Sequence, residues 1–305
     1  MNYTQLNEKK KVEIETLLNQ GLSMRKVAEI LGISHSTISR YKSGLYEKRT
    51  INLETKYERF LKYLYDHYDS RNKSIEVCVY RFKKQYPQMP SVSAQQVYNW
   101  INNGQIRINK DKLCYKKRRR NSSKSGMMRH LVWNMENKTA LPISLRPEHV
   151  NNRDELGHLE IDSIIGKRNE YPSVISIVDR CSRRVWLVKA EYKNEHYINK
   201  LIYNYLVENK IIVKSITTDN GLEFKALGIA AKTLGVKLYK CDPYCSFQRG
   251  TNEKMNAMVR RYLPKGHSLK LTPQRYLDDI AWNINSMPRK TFDFKCAYEL
   301  ESKQL

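Results

Sequence analysis

Ile211-Ile212-Val213-Lys214-Ser215-Ile216-Thr217-Thr218-Asp219-Asn220-Gly221 reads as a β-branched, apolar strand that ends in a carboxylate and a turn. Such a run suits a strand buried on both faces of a sheet. Upstream, His158-Leu159-Glu160-Ile161-Asp162-Ser163-Ile164-Ile165, Val174-Ile175-Ser176-Ile177-Val178-Asp179 and Arg184-Val185-Trp186-Leu187-Val188-Lys189 read as three more strands, the last two joined by a polar turn. Residues 194–208 then place Ile198, Leu201, Ile202 and Leu206 on one helical stripe. Three strands in series, a helix, then a strand ending in a carboxylate is the order of a ribonuclease-H-like α/β domain, expected over residues 154–305.

Further on, Arg249-Gly250-Thr251-Asn252-Glu253-Lys254-Met255-Asn256-Ala257-Met258-Val259-Arg260-Arg261-Tyr262-Leu263 has the spacing of a helix. Thr251 is the expected N-cap, and Met255, Met258, Val259 and Tyr262 the buried stripe. Glu253, Asn256 and Arg260 share another face. Glu253 falls in the first turn, where the helix dipole favours an ionised carboxylate. Asp162, Asp219 and Glu253 are therefore candidate ligands of divalent metal. Each has a rival: Glu160 shares a strand face with Asp162, and Glu223 and Asp242 lie near the other two. The residues alone leave that choice open.

The amino-terminal part is helical. Val12, Ile14, Leu17 and Leu18 form a stripe within residues 7–20. Ser23 can cap a helix turning Val27, Ile30 and Leu31 inward, Gly32 suits a tight turn, and Ser34 can cap a second helix running to Tyr41. This is a helix-turn-helix pattern over residues 1–48. Its second helix would enter a DNA major groove with His35, Ser36, Ser39 and Arg40 outward, and Thr37 at the groove edge; Arg25 is a further candidate contact. A second helical block, residues 52–108, carries another capped helix at Ser93, with Val97, Trp100 and Ile101 inward and Gln95, Gln96 and Asn99 as candidate base contacts. An ordinary packing helix would show the same signals.

Residues 109–153 read as a basic linker. Lys116-Lys117-Arg118-Arg119-Arg120 is followed by a Ser- and Gly-containing stretch, and such a run either lies on phosphates or is simply solvated. The whole chain carries 55 Lys and Arg against 31 Asp and Glu among 305 residues, a formal charge of +24. Nucleic acid is the expected partner of such a field, through counterion release at each neutralised phosphate. No apolar stretch approaches a membrane span and no signal core opens the chain, so a cytoplasmic protein with no membrane partner is expected. The six scattered cysteines are expected to be reduced thiols without zinc.

The string from Gly157 to Lys167, Thr218-Asp219-Asn220-Gly221-Leu222-Glu223-Phe224, and Pro243-Tyr244-Cys245-Ser246-Phe247-Gln248-Arg249-Gly250-Thr251-Asn252-Glu253 resemble the DDE transposases of insertion-sequence family thirty. So do Tyr262-Leu263-Pro264-Lys265-Gly266 and Asn285-Ser286-Met287-Pro288-Arg289-Lys290. The 33 residues between Asp219 and Glu253 match that family's spacing, and the resemblance runs from the first helix-turn-helix to about Leu300. Two departures touch packing: Leu159-Glu160-Ile161-Asp162 stands where the family has Trp-Glu-Gly-Asp, and Phe247 where it has Trp.

The resemblance implies that Asp162, Asp219 and Glu253 hold two Mg²⁺ ions per active site, with Mn²⁺ able to substitute. It implies cleavage at the element's terminal inverted repeats and strand transfer into target DNA, with Arg260 on a phosphate and a homodimer or larger homo-oligomer on the DNA. Two rivals remain: a DNA-binding regulator with an inert α/β domain, and a nuclease acting on RNA–DNA hybrids.

Overall fold

The computed structural model describes residue 6 and residues 8–44, 53–113, 140–242 and 245–302. The basic run at Lys116–Arg120 lies outside them. The chain divides into two compact units, residues 1–58 and 59–305.

In the first unit α1 (Glu8–Asn19), α2 (Met24–Leu31) and α3 (His35–Lys42) pack around Leu6, Ile14, Val27, Ala28 and Ile38. The caps fall where the sequence places them. Ser23 Oγ accepts from the Lys26 amide and Ser34 Oγ from the Thr37 amide, at 3.3 and 3.2 Å. Gly32 ends α2 at φ 62°. Two expected inward residues differ: Ile30 is 52% and Val12 61% exposed. With a short α2, Val27 and Ala28 already fill the gap to α3, so Ile30 turns outward one step round the helix. A short helix, α4 (Leu53–Lys56), follows.

The second unit opens with three helices, α5 (Glu58–His67), α6 (Ile75–Gln85) and α7 (Ala94–Asn102), around Phe60, Leu64, Ile75, Phe82, Val97 and Trp100. Ser93 Oγ accepts from the Gln96 amide, so the expected cap is present. The connection from α6 to α7 holds Pro87 and Pro90 and spans residues 86–93, longer than the usual 3–4-residue turn of a helix-turn-helix. These helices also meet the α/β part: the Tyr80 and Phe294 rings stack at 4.0 Å, and Arg261 Nη1 donates to the Arg71 carbonyl.

The remainder is an α/β sandwich. In chain order it comprises β1 (Ala140–Pro142), α8 (Glu148–Asn152), β2 (His158–Ile165), β3 (Ser173–Asp179), β4 (Val185–Ala190), α9 (Glu195–Glu208), β5 (Ser215–Thr218), α10 (Leu227–Thr233), β6 (Lys237–Lys240), α11 (Gly250–Val259), α12 (Gln274–Asn285) and α13 (Ala297–Glu301). The sheet order is β1-β6-β5-β2-β3-β4. The β2-β3-β4 meander is antiparallel, and β2, β5, β6 and β1 run parallel. That order and direction make the domain ribonuclease-H-like. Residues 140–152 fall in the stretch expected as linker, yet β1 pairs with β6 and Val150 is buried. β1 is three residues long and ends in proline, too short for a periodic signal.

The period of two along β2 sorts the two faces. Leu159 and Ile161 turn toward α9 and α10, meeting Ile198, Ile202, Leu227 and Ala230. Glu160, Asp162 and Ile164 take the opposite side, where Met255 and Val259 of α11 and Leu277, Ile280 and Ile284 of α12 pack with Ile164. One expectation fails in extent: the strand expected over 211–218 is confined to Ser215–Thr218, and Ile212 is 48% exposed. The Gly157 carbonyl accepts from both the Lys214 and Ser215 amides, so pairing begins only there; Ile211 and Val213 pack beneath the sheet as loop residues.

Gly157 sits at φ 96°, and a Cβ there would meet Lys214 Cγ at 3.0 Å and Ile212 Cγ2 at 3.1 Å. Its amide also donates to Asp179 Oδ2 at 2.7 Å. We expect Gly157→Ala to lower stability by about 1–3 kcal/mol in urea unfolding.

Candidate active site

The parallel pairing of β2 with β5 puts Ile161 opposite Thr218. One residue further on each strand stand Asp162 and Asp219, so backbone register brings these carboxylates abreast. Asp162 Oδ1 accepts from the Ser163 amide at 2.9 Å, and Asp219 Oδ1 from the Gly221 amide at 2.9 Å. A Cβ at Gly221 would lie 2.9 Å from Glu223 Oε2 and 3.0 Å from Asp219 Oδ1, so the glycine leaves room for these carboxylates. Beneath the turn, buried Lys240 donates from Nζ to the carbonyls of Asp219 and Phe224. Burial draws its pKa down to about 7.

Helix α11 closes the site from the face of β2 that carries Asp162. Arg249, its N-cap residue, reaches both carboxylates: Nη2 donates to Asp219 Oδ2 at 3.0 Å, and Nη1 lies 3.2 Å from Asp162 Oδ1. Asn256 Nδ2 donates to Asp162 Oδ2 at 2.9 Å. Glu253 lies between these two on the helix and is exposed. Asp162, Asp219 and Glu253 do not all come within 4.8 Å of one another in this structure, and the Arg249 guanidinium lies between the two aspartates. Burial raises the pKa of Asp162, while the Arg249 charge beside it acts in the opposite sense.

The rival Glu160 has another task. It is fully buried and ion-paired with buried Arg180, and its Oε2 accepts from the Asn252 amide at 2.9 Å. Asn252 is the third residue of α11, so a strand carboxylate satisfies one of the helix's free amides. Arg180 Nε in turn donates to the Val150 carbonyl at 3.0 Å, and Ser176 Oγ donates to Asn252 Oδ1 at 3.1 Å. The expected cap, Thr251, lies inside the first turn with its hydroxyl buried and unpartnered among the described residues. It is displaced because a 3-10 turn, Ser246–Arg249, runs directly into α11. Of the other rivals, Asp242 Oδ2 accepts from Gln248 Nε2. Arg260, expected on a phosphate, donates to the carbonyls of Ile165 (2.8 Å) and Leu263 (3.5 Å) at the end of α11.

Arg249 and Asn252 were missed as site residues. The signal was present: 249, 253, 256 and 260 follow helical spacing, and a cation four residues before Glu253 must share its face. Elsewhere, His149, Glu155 and His158 bring ligand atoms within 4.8 Å of one another at the start of β2. There Glu155 pairs with Lys214 and accepts from His158 Nε2 at 2.8 Å, partners that hold its pKa near about 2. These contacts make it an ordinary hydrogen-bonded network.

On α3, His35, Ser36 and Arg40 are exposed and Thr37 and Ser39 half-buried; Arg25 on α2 is exposed. Gln95, Gln96 and Asn99 are exposed on α7, where Gln95 Nε2 donates to Asn99 Oδ1 at 3.3 Å. Among the described residues no helix is long and apolar enough to cross a membrane.

A helix-turn-helix domain family matches residues 2–41. The chain is 28% identical over 336 residues to a protein of Streptococcus salivarius named "Probable transposase for insertion-like sequence element IS1161", covering 98% of this chain and 94% of that one. It is 36% identical over 160 residues to the Escherichia coli K12 transposase InsI of insertion sequence element IS30A, covering 52% of this chain and 41% of that one. The chain thus resembles transposases of insertion-sequence family thirty, over nearly its whole length in the first case and about half of it in the second. The catalytic core domain of BIV integrase, a solved structure, is 17% identical, with a TM-score of 0.37 over 48% of this chain and 95% of that one. The fold assignment rests on the strand order above and not on that likeness.

The Glu160–Arg180–Asn252 network is the attachment of α11 to the sheet. We expect Glu160→Ala to cost about 3–5 kcal/mol in chemical denaturation, the range for leaving one member of a buried ion pair alone. Glu160→Gln should cost less, because its amide oxygen can still accept from Asn252.

Proposed function

We propose that this chain binds the terminal inverted repeats of its insertion sequence and cuts and rejoins DNA at Asp162, Asp219 and Glu253. The observation that carries the reading is the β2–β5 register, which sets two carboxylates abreast under the helix that bears the third. The donor set fits divalent metal. It offers hard carboxylate oxygens, as Mg²⁺ and Mn²⁺ prefer, and Asp162 and Asp219 already share a cationic partner in Arg249. Asp162, Asp219 and Glu253 would together hold the ions. Bound metals would supply activation of the attacking oxygen and stabilisation of the leaving one.

The chain's own residues do the positioning. The Ser163 and Gly221 amides and Asn256 orient the aspartates, and the Glu160 contact holds α11, the helix that bears Glu253, on the sheet. In the first reaction water attacks phosphorus at the element's end and the 3′ oxygen leaves as a hydroxyl. That hydroxyl then attacks a target phosphodiester, one P–O bond replacing another, with no covalent protein intermediate. Helix α3 would read the end in the major groove through His35, Ser36, Ser39 and Arg40 with Thr37 at its edge. α7 offers Gln95, Gln96 and Asn99 as a second reading surface. The basic run Lys116–Arg120 would hold phosphates without base preference. Two ends and one target are joined in one complex, so a homo-oligomer on DNA is part of the proposal.

Asp162→Asn, Asp219→Asn and Glu253→Gln should each abolish Mg²⁺- or Mn²⁺-dependent nicking and strand transfer while end binding survives. Strand transfer retained by any one variant would remove that residue from the site. The reading helix has its own test by gel shift. Replacing His35 and Arg40 with Ala together should abolish the preference for end DNA over random DNA; a preserved preference would move sequence reading elsewhere.

A further inference from the structure

Arg249 occupies the centre of the carboxylate cluster, and its contacts are incomplete. The side chain is 10% exposed, yet only Nη2 makes a hydrogen bond; Nε and Nη1 have no hydrogen-bond partner among the described residues. Buried guanidinium donors are ordinarily satisfied, and a well-fitted Arg–carboxylate pair is bidentate. This one spans two carboxylates and fits neither completely. It also lies at the N-cap of α11, where the chain passes from a 3-10 turn into the helix.

We propose that Arg249 is a resident counter-cation of the site: it holds Asp162 and Asp219 apart from each other's charge until a divalent ion takes its place. The inference rests on the reading of those aspartates as metal ligands. An ion bound by both would need oxygens at about 2.0–2.1 Å, in the space the guanidinium fills, and two cations cannot share it. Arg249 and metal therefore compete. The displaced guanidinium retains its donor fork beside the site, where a DNA phosphate is the anion within the proposed chemistry that it suits. Metal entry and DNA phosphate binding would then favour each other, and the protein without DNA would hold metal weakly.

The test is Mn²⁺ binding to the full-length chain without DNA, read from the free-Mn²⁺ electron paramagnetic resonance signal and from thermal unfolding. Arg249→Gln, which removes the competitor, should bind Mn²⁺ at least about tenfold more tightly than the unaltered chain, within the usual range of coupling between sites. Mn²⁺ should also raise the melting temperature of Arg249→Gln more, because two carboxylates are left unpaired without it. Arg249→Lys keeps the charge as a single point and should fall between. Equal or weaker Mn²⁺ binding by Arg249→Gln would overturn the proposal, as would equal thermal shifts. Asp162→Asn and Asp219→Asn separate the two ideas: undiminished Mn²⁺ binding in these variants would overturn the ligand reading itself, and this inference with it.

Discussion

The pairing of β2 with β5 is the constraint on which the site depends. Backbone hydrogen bonds place Ile161 beside Thr218, and the next residue on each strand is an aspartate. A slip of one residue would turn Asp162 to the α9 side, among Ile198 and Ile202, where a carboxylate would be buried without a partner. The register is held from both ends of the strand. Gly157 ties its carbonyl to the Lys214 and Ser215 amides at one end. At the other, the Ser163 and Gly221 amides hold the two carboxylates.

Helix α11 depends on the same strand. Glu160 and Asp162 share a face of β2, and the helix answers each: Asn252 binds the first, Arg249 and Asn256 the second. The two carboxylates divide structural and chemical work according to their surroundings. Glu160 is sealed between Arg180 and a helix terminus and has no path to a ligand. Asp162 keeps part of its side chain open and borders Asp219. Neighbouring acids of identical alternation thus acquire different roles from what packs over them.

The family resemblance and the geometry meet at different depths. The resemblance extends over the order of helix-turn-helix and α/β parts along the chain. The geometry adds an arginine seated between two aspartates and the contact of the α5–α7 helices with the α/β part through Tyr80 and Phe294. That contact means the second helical block does not stand apart from the domain expected to do the chemistry.

Local chemistry alone was enough for much of this molecule. Ser23, Ser34 and Ser93 cap their helices because a hydroxyl before an apolar periodic run has few better uses, and β2 spans the eight residues its composition suggests. The ribonuclease-H-like order and the candidate carboxylates were legible because strand ends and helix starts are local events. What the sequence could not decide was long-range. Which of Glu160 and Asp162 is left open to a ligand depends on Arg180, twenty residues from Glu160, and on Asn252 on another element. The inclusion of residues 140–142 in the sheet depends on β6, nearly a hundred residues later. Thr251 lost its expected capping role to a preceding 3-10 turn, and Ile30 lost its place in the core to the closeness of α2 and α3. Propensity acts within a turn or two of chain, whereas burial, charge pairing and register are set by whatever the fold brings alongside.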